Sequence, residues 1–128
     1  MQIYAWMDEL ASRHSGVVSV AVAGETYEGR ELRVLRVALA DNLPVVVVEA
    51  GAHAREWITN AVATYLANEI LGDKETPFRH LARQFEWHIF PSVNPDGYVH
   101  SLLQVGCVPV VPGSRRTFIV FVQDCTPY

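Results

Sequence analysis

Residues 45–57, VVVVEAGAHAREW, restrict the fold of this chain more than any other stretch. Four consecutive valines are too short a run for a helix, and an apolar run of that length suits a strand buried on both faces. Gly51 then lets the chain turn where a side chain would crowd it. From Trp57 the period changes to that of a helix, with Ile58, Val62 and Leu66 recurring every fourth residue beside Ala61, Tyr65 and Ile70. A buried strand that passes through a glycine into a helix belongs to an open α/β sheet, and the junction lies at its carboxyl edge, where such sheets bind ligands. His53 and Glu56 sit at that junction.

A histidine nitrogen and a carboxylate oxygen are ordinary zinc donors, and a three-residue spacing across a helix start can aim both at one point. The same two residues also read as a surface histidine followed by a first-turn glutamate that complements the helix dipole. Spacing alone leaves both readings open. The order of strand, glycine and then pair favours the metal.

The rest of the chain supplies further elements. Residues 2–14 predict a helix with Ile3, Trp6, Met7 and Leu10 on one face, ended by Ser15-Gly16. Residues 17–23 and 32–39 predict strands joined as an antiparallel hairpin, since the interval between them is short and holds Gly24 and Gly29. In the second strand Arg33 and Arg36 fall on different faces, which leaves its register open. Asp41-Asn42-Leu43-Pro44 is a turn into the valine strand. Pro77 opens a short helix through Phe78, Leu81 and Ala82. Residues 85–93, FEWHIFPSV, predict another strand whose regular pairing fails at Pro91. His88 lies within it in a structural or solvent-facing role, as do His14, His80 and His100 elsewhere. Asn94-Pro95-Asp96-Gly97-Tyr98 reads as a stiff turn immediately after that strand.

Composition excludes several classes. The 128 residues suit one domain with a modest core, half of them are apolar, and the net charge is −4. A single lysine, Lys74, stands against nine arginines, and the only adjacent basic pair is Arg115-Arg116, so no basic face for nucleic acid emerges. No apolar run approaches the roughly 18 residues of a membrane span, and the start at Met1 shows no signal-peptide profile. Cys107 and Cys125 lack C-x-x-C spacing and are compatible with one disulfide or two thiols. A serine hydrolase is disfavoured because no G-x-S-x-G elbow occurs.

Taken together, Gly51-Ala-His-Ala-Arg-Glu-Trp-Ile-Thr59 and Asn94-Pro-Asp-Gly-Tyr98 resemble the paired signatures of zinc metallocarboxypeptidases of the carboxypeptidase A/B kind, and Tyr27-Glu-Gly-Arg30 matches a smaller element of that family. The resemblance implies an α/β fold: a partial mixed, mostly parallel sheet flanked by helices, an incomplete metallocarboxypeptidase (zinc exopeptidase) fold. It implies that His53 and Glu56 are two of three ligands to one Zn2+ ion, a half-site, and that Arg55 helps hold the substrate peptide. The implied reaction is metal-assisted hydrolysis of the last peptide bond of peptides or proteins, by an extracellular, secreted protein.

The likeness covers residues 2–101 in consistent order. The family's third zinc ligand, a distant histidine, falls too far along for the residues that follow Glu56. Its Asp-x-Asn-Arg segment, catalytic glutamate, closing tyrosine and specificity-pocket residue also have no counterpart. Residues 102–128 depart from the family pattern, and 118–122 read equally as a strand or as an apolar tail. The expected organisation is therefore the N-terminal part of a carboxypeptidase catalytic domain over 1–101 and a divergent tail over 102–128, as in a truncated gene product. Two functions follow as expectations: a carboxypeptidase-like protein inactive as this chain, or a non-catalytic fragment that binds a peptide or partner.

Overall fold

A computed structural model describes residues 2–103, so Cys107, Arg115, Arg116, Cys125 and the apolar run over 118–122 lie outside the described residues. Helix α1 (Gln2–Arg13) leads into strands β1 (Val18–Glu25), β2 (Glu31–Ala38) and β3 (Val45–Glu49); helices α2 (Trp57–Leu71) and α3 (Pro77–Ala82), strand β4 (Glu86–Phe90) and helix α4 (Pro95–Leu103) follow. The strands form one mixed sheet in the order β1-β2-β4-β3.

The loop between β1 and β2 is short, so the two strands pair antiparallel, with Val18 opposite Val37 and Val20 opposite Leu35. A bulge between Val22 and Gly24 precedes the loop. Strand β4 enters between β2 and β3, antiparallel to β2 and parallel to β3. Only the β3–β4 connection contains a crossover helix, and only that pair is parallel. The sheet is mixed, as the resemblance implied. Its parallel majority is not present among the described strands, because a hairpin and an inserted fourth strand account for two of the three pairings.

Alternation along the strands sorts the faces. Leu35 pairs with Ile89 and Val37 with Trp87, and these side chains meet Met7 and Leu10 of α1 together with Ala63, Ala67, Ile70 and Leu71 of α2 in a single core. Arg33 lies on this face too, bonded to Asp8 of α1 and stacked 4.9 Å from the Tyr4 ring centre. Arg36 points to the opposite face, where it meets Glu86 and His88 across the β2–β4 pair. The two arginines thus occupy different faces, and the cross-strand pairing settles the register that sequence left open.

Three expectations are corrected. Strand β3 lies at one edge of the described sheet, with only β4 beside it, and Val46 is its one buried valine, so the strand is not buried on both faces. The run of valines marks a strand without requiring its burial on both faces. In α2 the buried face is Asn60, Ala63, Ala67, Ile70 and Leu71, whereas Ile58, Val62 and Tyr65 are exposed. Apolar residues surround this helix, so periodicity identifies it without identifying its inner side; small Ala63 and Ala67 allow the close approach to the sheet. Finally, the Asn94 segment does not reverse the chain. It opens α4.

Candidate metal half-site and its scaffold

The site forms where β3 and β4 end side by side. Beyond their last ladder pair the Ala50 amide donates to the Phe90 carbonyl at 3.0 Å, and the Val93 amide donates to the Ala50 carbonyl at 2.8 Å. Gly51 then adopts φ +71°, a left-handed conformation that disfavours side chains. Space makes the same demand: a Cβ there would lie 2.5 Å from Asn60 Nδ2 and 3.1 Å from the Ser92 Cα.

Residues from the first turn of α2 hold the loop from beneath. The Gly51 amide donates to Thr59 Oγ1 at 3.0 Å, and the Thr59 hydroxyl donates to the Glu56 carbonyl at 2.8 Å. Buried Asn60 donates from Nδ2 to the Pro91 carbonyl at 2.7 Å. These bonds satisfy backbone groups that the strand-to-helix transition would otherwise leave unpaired.

On this support the Glu56 amide donates to the His53 carbonyl at 3.1 Å. That bond closes a four-residue turn, which keeps the α-carbons of His53 and Glu56 within about 7 Å of each other. His53 is exposed and Glu56 half-buried. Glu56 occupies the N-cap position of α2, but its carboxylate makes no capping hydrogen bond. Arg55, between them, is exposed. The donor types suit zinc, and the turn presents them together. Among the described residues no group of three or more His, Cys, Asp or Glu side chains gathers to hold a metal, so the pair is one donor short of the three usual for catalytic zinc.

The Asn94 segment meets this loop directly. Asn94 Oδ1 accepts from the Gly97 amide at 2.9 Å, an N-cap arrangement with Pro95 in the first helical position. Its Nδ2 donates to the Ala52 carbonyl at 3.0 Å, one residue before His53. Asp96, in the first turn of α4, accepts from the Thr26 hydroxyl at 2.8 Å, the Glu28 amide at 3.2 Å and Arg30 Nη1 at 2.6 Å. Burial alone would raise the Asp96 carboxyl; Arg30, Thr26 and the Glu28 amide prevail and hold it below the ordinary aspartate range. A further contact joins α2 to α4: Trp57 Nε1 donates to Ser101 Oγ at 2.9 Å, and the Trp57 and Tyr98 rings meet edge to face at 6.4 Å.

All three segments singled out in sequence therefore converge, although they are separated by tens of residues. Sequence reasoning missed what joins them. Thr59, Asn60 and Ser101 carry polar side chains on an otherwise apolar helix face or inside a helix, which is the one signal that could have marked them as structural donors and acceptors.

The profile of the zinc carboxypeptidase family matches residues 3–106. The chain belongs to the zinc carboxypeptidase family. A zinc carboxypeptidase from Simulium vittatum is 48% identical over 100 residues, which are 78% of this chain and 33% of that protein. An inactive metallocarboxypeptidase from Blastomyces gilchristii is 38% identical over 103 residues, covering 75% of this chain and 17% of the relative. Among solved structures, the carboxypeptidase A of Helicoverpa armigera superposes with a TM-score of 0.69 at 33% identity, over 78% of this chain and 25% of that one. This chain thus spans a third or less of these relatives and holds part of their fold.

Proposed function

We propose that this chain carries the first half of a zinc carboxypeptidase centre, with His53 and Glu56 as two ligands to one Zn2+ ion and Arg55 as a contact to the substrate peptide. The observation that carries the reading is the His53–Glu56 turn, presented at the carboxyl edge of the parallel β3–β4 pair. Bound zinc would polarise a scissile carbonyl and lower the pKa of a coordinated water. The protein's own contribution is positional: Gly51, Thr59 and Asn60 fix the turn, and Arg55 stands between the two donors, with a planar guanidinium of the kind that suits a peptide oxygen. The substrate class is the free C-terminus of peptides or proteins, met outside the cell. Residues 1–101 form the carboxypeptidase part and 102–128 a divergent tail.

We infer zinc binding without hydrolysis, since no third donor joins His53 and Glu56 among the described residues. The second reading is a non-catalytic peptide- or partner-binding fragment, and the absence of a third donor among the described residues favours it over turnover. Zinc titration of the 128-residue chain, with His53→Ala and Glu56→Gln beside it, tests both. One zinc per chain, lost in both variants, supports the half-site. No zinc uptake by the unaltered chain overturns it, and release of C-terminal residues from a peptide would overturn the inference of inactivity.

A further inference from the structure

We propose that Asn94 is the positioning residue for the His53–Glu56 turn and that the β1–β2 loop, acting through Asp96, holds Asn94 in place. The amide of Asn94 is used at both ends. Its oxygen caps α4 through the Gly97 amide at 2.9 Å, and its nitrogen holds the Ala52 carbonyl at 3.0 Å. A residue that only capped a helix would not need the second bond, and Ser, Thr or Asp would serve equally well. Among those cap residues only asparagine adds an amide donor that can reach the neighbouring loop.

Asn94 can fix that loop only if α4 is itself fixed, and the structure supplies the anchor. Asp96 is gripped by Thr26, the Glu28 amide and Arg30. Thr26 and Arg30 are in turn locked to each other, with the Thr26 amide donating to the Arg30 carbonyl at 2.8 Å and the Arg30 amide donating to Thr26 Oγ1 at 3.0 Å. Gly29, at φ +74°, permits this tight loop. A continuous chain of directional bonds thus runs from the β1–β2 loop through Asp96, α4 and Asn94 to the carbonyl beside His53. Its function is to keep the turn in one conformation before any ligand arrives, which reduces the ordering that binding would otherwise require.

The metal consequence rests on the half-site reading, whereas the positioning itself does not. Two readouts on the full 128-residue chain keep them apart. The variants are Asn94→Asp, which keeps the cap oxygen but turns the donor into an acceptor facing a carbonyl, and Asn94→Ser, which keeps a cap without added charge. Both are expected to lower the urea midpoint only by the modest shift that one lost hydrogen bond produces, while the Glu56 amide, which closes the turn, exchanges with solvent about 5- to 10-fold faster for the same reason. Zinc affinity should fall about 10-fold or more in Asn94→Ser. Asp96→Asn should change Glu56 exchange in the same direction by a smaller factor. Unchanged Glu56 exchange in both Asn94 variants overturns the proposal. If the unaltered chain takes up no zinc, the half-site reading fails and the exchange result still decides the positioning.

Discussion

Alanine at Gly51, compared with alanine at Gly29, separates the two demands placed on the loop that carries His53. Both glycines have a positive φ, +71° and +74°. At Gly29 a Cβ meets nothing within 4 Å, so Gly29→Ala experiences backbone strain alone. That strain is about 1–2 kcal/mol, partly offset because alanine restricts the unfolded chain by about 0.4–1 kcal/mol, leaving roughly 1 kcal/mol. At Gly51 the same Cβ comes within 2.5 Å of Asn60 Nδ2 and 3.1 Å of the Ser92 backbone. Asn60 must then withdraw from the Pro91 carbonyl, and a buried hydrogen bond broken in this way costs a further 1–3 kcal/mol or so. Gly51→Ala should therefore destabilise by about 2–4 kcal/mol. Urea unfolding followed by tryptophan fluorescence measures the difference, and with a slope of about 1–3 kcal/mol per molar it amounts to roughly 1 M in midpoint. If Gly51→Ala is no more destabilising than Gly29→Ala, the close packing under the loop is not limiting and the reasoning fails.

Other outcomes follow from the same structure. Leu35 is wholly buried between α1, α2 and the sheet, so Leu35→Ala should cost about 2–5 kcal/mol and abolish cooperative melting in circular dichroism. Asn60→Ala removes the bond to Pro91 and leaves a buried carbonyl unpaired, which should lower stability by about 1–3 kcal/mol in urea titration. The Glu86 carboxyl is held below the ordinary glutamate range by its hydrogen bond to His88 and, further, by Arg36. Its folded pKa is depressed, so its contribution is present above the unfolded value and is lost as pH falls through that value toward the folded one. Stability should thus decline on acidification below about pH 4.5, the ordinary glutamate value, and Glu86→Gln should flatten that decline in a series of urea midpoints.

Element types were largely legible in the sequence, because each rests on local chemistry. The Ile3, Trp6, Met7 and Leu10 stripe formed α1, Pro77 opened α3, and Pro91 falls immediately after β4. The Asn94 segment was misread as a reversal because Asn-Pro-Asp-Gly suits a turn and a capped helix start equally well. What decided between them was the run from Tyr98 to Leu103 finding a partner in Trp57.

By itself the sequence determined that a β-branched run ends at a glycine, that a helix begins after it, and that a histidine and a glutamate stand between them. Those are consequences of backbone preference and spacing over a few residues. Only the tertiary structure decided which face of α2 is buried, that β4 pairs between β2 and β3, and that Asn94 reaches Ala52 while Asp96 reaches Arg30. The physical reason is that an apolar helix has no preferred side until a sheet selects its smallest residues. Likewise, a hydrogen bond between residues tens of positions apart leaves no period in the chain; it exists because the strand order brings the two ends together.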